Sequence, residues 1–211
     1  MKTDHLIEIL SSKIEPIRGE RLRKGLALAL VVGGVGAFCM MLGTVGLRPN
    51  GPPRLEYLGL RLLFTFSLIA IAAMLLARLA RPGQSAGRLL KVTFIPFLVI
   101  VAAGATAIGF QGPMGLGKML FGMNWMTCLV CIPLFAVVPF LALTWFLRNG
   151  APTNLRLTGA IAGLLAGALG ATAYAFHCPD DSVPFIAFWY ASMIGLCSLI
   201  GAMIGPKILR W

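Results

Sequence analysis

Six long stretches of the chain carry no charged residue: Gly25 to Leu47, Leu62 to Ala77, Val92 to Gly117, Met119 to Leu147, Leu157 to Phe176 and Ser182 to Pro206. Crossing about 30 Å of hydrocarbon takes roughly 20 helical residues at 1.5 Å of rise each. Every stretch but Leu62 to Ala77 meets that length, and this one meets it when extended back to about Tyr57. The extension requires Arg61 to snorkel out to the surface. The runs are continuous rather than alternating, which excludes a closed β-barrel, the other structure able to span a bilayer. The pattern predicts an all-α polytopic membrane protein, a bundle of six transmembrane helices at about 25–47, 57–79, 90–111, 122–147, 155–176 and 184–206. A segment 1–24 precedes it.

Composition supports that reading. Hydrophobic residues make up 58% of the chain and charged residues 12%, against roughly 25% charged in a soluble domain. The net charge of +11 points first to a nucleic-acid partner. Its distribution points elsewhere, because the basic residues sit in short clusters between the apolar runs. With both termini in the cytoplasm, the inside segments hold 14 of the 18 lysines and arginines and the outside segments hold 4. The excess is a topology signal, so no direct nucleic-acid partner is expected, only the lipid bilayer.

Within the apolar runs most features read as structural. Gly159, Gly163 and Gly167 recur every fourth residue, with Gly170 close by, and form a ridge for close helix packing. Pro133 and Pro139 should kink or unwind the fourth helix locally. Trp125, Trp145, Trp189 and Tyr190 fit an interfacial aromatic belt. The first run is longer than a signal-peptide core and no small-residue cleavage site follows it, so processing is not expected. Between Glu20 and Asp180 the sole acidic residue is Glu56, which leaves a carrier or pump without its usual intramembrane carboxylate. The two histidines, His5 and His177, fall on opposite sides, excluding a bis-histidine haem between them. No nucleotide loop, hydrolase set or HExxH pattern appears. The chain reads as a non-enzyme with no cofactor.

Two polar regions remain. In segment 1–24, Thr3 or Asp4 can cap a short helix whose Leu6, Ile7, Leu10 and Ile14 share one stripe. That stripe suits a membrane surface or a groove on a protein partner. The second region is the loop His177-Cys-Pro-Asp-Asp-Ser182, predicted to lie outside, where Cys178 would meet an oxidising compartment. A protonated His177 would favour its thiolate, whereas Asp180 and Asp181 would oppose it. Asn124-Trp125 marks the outer end of the fourth helix and sets Cys128 about one turn below it. Cys128 and Cys178 can therefore meet as a disulfide or as ligands for a soft metal, with His177 the next donor. Cys131, which gives CxxC spacing with Cys128, reads as a small residue on the same face. Cys39 and Cys197 read as mid-helix hydrophobes.

The stretch Ala175-Phe-His-Cys-Pro-Asp-Asp-Ser-Val-Pro-Phe-Ile-Ala-Phe-Trp-Tyr190 resembles the hallmark of the NrsF-like family, the negative regulators of sigma-F. The opening Met1-Lys-Thr-Asp-His-Leu-Ile, Cys128 with Ile132-Pro133 and Pro139, the turn Leu147 to Pro152, and the tail Gly201 to Trp211 also resemble it. The likeness spans essentially the full length. It implies a six-helix inner-membrane anti-sigma factor that sequesters an extracytoplasmic-function sigma factor and releases it under stress. By that resemblance, Met1 to Lys24 would supply sigma-binding surface, with Leu6, Ile7, Leu10 and Ile14 as anchors. Cys128 and Cys178 would sense oxidant or heavy metal, supported by His177, Asp180 and Asp181. The loops Arg78 to Lys91 and Leu147 to Arg156 would also face the partner.

The residues leave a rival open. A small membrane transporter or metal-handling protein would use His177, Cys178, Asp180 and Asp181 as an entrance. It lacks polar ligands deeper along a path.

Overall fold

The computed structural model describes residues 19–48, 51, 54–111, 116–122 and 124–210. Among these, six helices are long and apolar enough to cross a membrane: Leu22–Thr44 (α1), Leu55–Leu79 (α2), Gly87–Phe110 (α3), Met119–Arg148 (α4), Leu155–Ala175 (α5) and Val183–Ile208 (α6). No strand occurs among the described residues. The first ends at Thr44 because Gly46, at φ 69°, turns the chain there, a conformation glycine adopts without a Cβ penalty. Leu6, Ile7, Leu10 and Ile14 lie outside the described residues. The helix carrying α1 already runs from Gly19, and Glu20 pairs with Lys24 one turn on at 2.8 Å.

Helix α5 is the hub. It is far more buried than α3, and it packs against α1, α2, α4 and α6. Small residues make this possible. A Cβ added at Gly159 or Gly163 would strike the backbone of α6 at Gly201 and Cys197, and one at Gly170 would meet the α4 backbone at Ile132 and Ala136. The glycine ridge therefore packs within the chain, drawing α4 and α6 onto α5 at near backbone contact.

Two expectations change. The fourth helix is not unwound at its prolines: Trp125–Arg148 runs unbroken with Pro133 and Pro139 inside it. Gly33 of α1 presses on Pro139, and Gly170 of α5 on the turn after Pro133, so both neighbours support the helix where proline removes a ladder bond. The aromatic belt also loses two members. Trp145 is 60% exposed on the bundle wall, but Trp189 and Tyr190 are buried. They belong to a π-helical segment, Ile186–Tyr190, inside α6, and such bulges re-aim side chains, frequently at functional sites.

The outer wall is apolar. Val31, Leu63, Phe66, Leu98, Leu141 and Met203 all point outward, a surface that suits hydrocarbon rather than water. The connections divide between the two ends. One end gathers the α1–α2 connection, the short helix Leu116–Phe121 and the α5–α6 loop. The other gathers residues 80–86, the turn 149–154 and the end of α6.

Candidate functional site

The α5–α6 loop is built to hold Cys178 inward. As α5 ends at Ala175, the His177 and Cys178 N–H groups both donate to the Tyr174 carbonyl at 3.0 Å. This tight turn folds the chain back over the bundle. Pro179 to Ser182 then lead into α6, where Pro184 occupies the first turn and needs no N–H partner. Cys178 is fully buried, and so is Cys128, in the first turn of the unbroken stretch Trp125–Arg148 of α4. Both are free thiols.

The cation at this site is Arg61. Its expected place at the surface is overturned, because Arg61 has no exposed area at all. It shares one stripe of α2 with Phe64, Thr65, Leu68 and Ala72, and that stripe faces the core. Its guanidinium donates to the Cys178 carbonyl at 3.1 Å and to the Asp180 carbonyl, and reaches Asp181 Oδ1 at 3.4 Å. The Tyr190 ring lies 6.0 Å from its centre, within cation–π range. A planar fork of fixed donors suits this set of acceptors.

A second arginine closes the rim. Arg48, just past α1, grips Asp181 with two donors at 3.1 and 2.9 Å and bonds the Pro179 carbonyl at 3.1 Å. Asp181 thus serves both arginines. Asp180 faces the other way, its Oδ2 accepting the Asn124 N–H at 3.0 Å. Gly122 makes room for it: at φ 49°, a Cβ there would sit within 2.9 Å of the Asp180 carboxyl group. Ser182 and Trp189 tie the loop to the short helix through the Met119 and Leu120 carbonyls, at 3.2 and 2.7 Å.

His177 ties the loop to the chain just past α1. Its Nδ1 lies 3.0 Å from the Gly46 carbonyl, and its ring sits tilted against Tyr174 at 5.8 Å. Among the groups acting on the Cys178 thiol are Arg61, Asp180 and Tyr190. Burial pushes that thiol above its ordinary range, while the Arg61 charge and the Asp180 backbone N–H pull it back in part. Cys178 therefore gives up its proton less readily than an exposed cysteine. Cys128 lies within electrostatic reach of Cys178 and Arg61. The Tyr174 and Tyr190 hydroxyls are buried here too. Among the described residues no three of His, Cys, Asp or Glu converge to hold a metal ion.

The structure brings together Cys128, Cys178, His177, Asp180 and Asp181, all singled out from the sequence. It adds Arg61, Arg48, Tyr174 and Tyr190.

The chain matches the NrsF family, described as negative regulator of sigma F, over residues 10–211. It is similar to a protein of Azospira oryzae named probable anti-sigma-F factor NrsF, 32% identical over 220 aligned positions and covering all of both chains. It is also similar to the anti-sigma-F factor NrsF of Caulobacter vibrioides, 34% identical over 223 positions, again covering all of both. No solved structure matches it.

Proposed function

This chain belongs to the NrsF family of negative regulators of sigma F, and from that premise we propose that it is a membrane-held anti-sigma factor. The observation carrying the reading is the end-to-end likeness to two proteins named anti-sigma-F factors. Its partner would be an extracytoplasmic-function sigma factor, held at a bacterial inner membrane. Both termini would lie in the cytoplasm, as the 14-to-4 division of basic residues favours. Met1 to Lys24, with Leu6, Ile7, Leu10 and Ile14, would offer the sigma-binding surface, and the Cys178 end would face outward. The role is regulatory and needs no catalytic step.

Release would begin at the cysteines. In the resting state the buried Cys178 thiol is protected. An oxidant accepting two electrons and two protons would join the Cys128 and Cys178 sulfurs as a disulfide. The bundle then needs two states of unequal affinity for sigma, since a signal shifts an equilibrium only by its differential free energy. A thiophilic metal ion bridging the two thiolates would be the alternative trigger at the same pair.

The test is a sigma-dependent reporter in a strain lacking the chain, complemented by each variant. Wild type is expected to silence the reporter and to release it under oxidant. Cys128→Ser and Cys178→Ser are expected to silence it and stay silent. Normal induction in both variants would end the cysteine half of the reading, and failure of wild type to silence would end all of it.

A further inference from the structure

We infer that Arg61 is the positioning residue of the Cys178 loop, and that α2 carries the loop's state to the turn 149–154 at the opposite end of the bundle. The inference rests on the anti-sigma reading only for what that far end does.

The geometry at the near end is specific. Arg61 bonds the carbonyl of Cys178 itself, the carbonyl of Asp180 and the carboxylate of Asp181. Arg48 holds the same loop from the rim, through Pro179 and Asp181, without touching Cys178. Arginine stays charged in proteins, and Arg61 is wholly buried. A loop that lifted partway would take away the acceptors without admitting the water that full release lets in, and a low-dielectric interior does not tolerate a charge so stranded. The loop is therefore either docked on Arg61 or released from it, with no stable position between. Docking keeps Cys178 covered, and its release uncovers the thiol.

Helix α2 supplies the connection. Leu55–Leu79 is unbroken, and Ala80 caps it by bonding back to the Leu76 carbonyl. The Ala80 carbonyl accepts the N–H of Ala151 at 3.2 Å. Gly150 is packed on the same oxygen, since a Cβ there would approach it to 3.0 Å. From Arg61 to Ala80 is about 28 Å of one helix at 1.5 Å per residue. Movement of α2 that follows loop release is thus delivered to the turn between Arg148 and Arg156. Arg148 also bonds the Ile208 carbonyl at 3.3 Å, so the turn is joined to the end of α6 as well.

The experiment measures maleimide labelling of Cys178 in membranes, with Cys39, Cys128, Cys131 and Cys197 replaced by Ala in the full chain. Labelling is expected to be slowest with Arg61, at least tenfold faster in Arg61→Gln and intermediate in Arg61→Lys. A lysine ammonium keeps the charge but not the fork, hence the partial rescue. In a parallel chain keeping only Cys197, buried at mid-bundle, Arg61→Gln is expected to leave labelling unchanged, which separates loop release from unfolding. An unchanged Cys178 rate in Arg61→Gln and Arg61→Lys overturns the positioning role, and Arg61→Lys alone decides it if the Gln variant does not accumulate. Co-purified sigma factor is expected to fall in the same order, and undiminished sigma beside fast labelling overturns the coupling through α2. If no sigma factor accompanies even wild type, the anti-sigma reading fails, and the labelling order still decides Arg61.

Discussion

Arg61 donates to the backbone carbonyl of Cys178 at 3.1 Å, joining residues 117 apart in sequence. The contact places a permanent charge from the second helix directly under the cysteine of the last loop. Around it, α1, α4, α5 and α6 each contribute one or two groups, so the state of that loop is a property of the whole bundle end.

Asp181 is the carboxylate shared by Arg61 and Arg48. Asp181→Asn leaves two guanidinium groups close together, one of them wholly buried. Removing one partner of a buried pair costs about 3 kcal/mol or more. The variant is expected to lose stability on that scale in detergent, seen as a lower thermal midpoint, while Arg48→Gln at the rim loses less.

The raised Cys178 thiol sets a pH dependence. Facing it are Arg61 from α2, Cys128 from α4, Tyr174 from α5, Tyr190 from α6, and Asp180 on its own loop. Because the folded state holds the Cys178 proton more tightly than the unfolded chain, thiolate forms only above the usual value of about 8.5. Labelling of Cys178 is expected to climb roughly tenfold per pH unit from 7 to beyond 8.5. Stability contributed by the protonated thiol is full below the unfolded value and falls as pH rises past it. A rate that levels off below pH 8 would contradict the buried-thiol state.

The close seam between α5 and α6 has no room to spare. Gly163→Leu would drive a side chain into the α6 backbone at Cys197 and Gly201. Overpacking of this kind costs about 3 kcal/mol, so the variant is expected to accumulate poorly and unfold at lower temperature. Gly195, with open space around its added Cβ, is the control position: Gly195→Ala is expected to behave as wild type.

The bundle was legible because a charge-free run of about 20 residues leaves the backbone one economical solution in hydrocarbon. Gly159, Gly163 and Gly167 were legible as packing for a similar reason, their spacing being one helix turn. The loop cysteine and its aspartates stood out as the densest polar group among the segments expected to lie outside the cytoplasm. Arg61 did not, because a charge at the edge of an apolar run has two physical outlets, the surface or a buried set of acceptors. Choosing between them requires knowing that the Cys178 and Asp180 carbonyls lie opposite. Tyr190 and Trp189 were misplaced in the aromatic belt for the same reason, since the π segment that turns them inward is set by packing.

The turn 149–154 can be probed from its own side. Gly150→Ala presses a methyl group onto the Ala80 carbonyl and is expected to strain the junction of α2 with the turn. Sigma retention should fall several-fold while Cys178 labelling stays at the wild-type rate, because the near end is untouched. Equal retention would separate this turn from the output.

The central claim is that the chain holds a sigma factor at the membrane, and a pull-down from detergent-solubilised membranes tests it most directly. The full chain is compared with one lacking residues 1–14, each captured and its partners identified. The account predicts an extracytoplasmic-function sigma factor with the full chain and its loss with the truncated one. Absence of any sigma factor from the full chain, at membrane levels matching the truncated form, would contradict it.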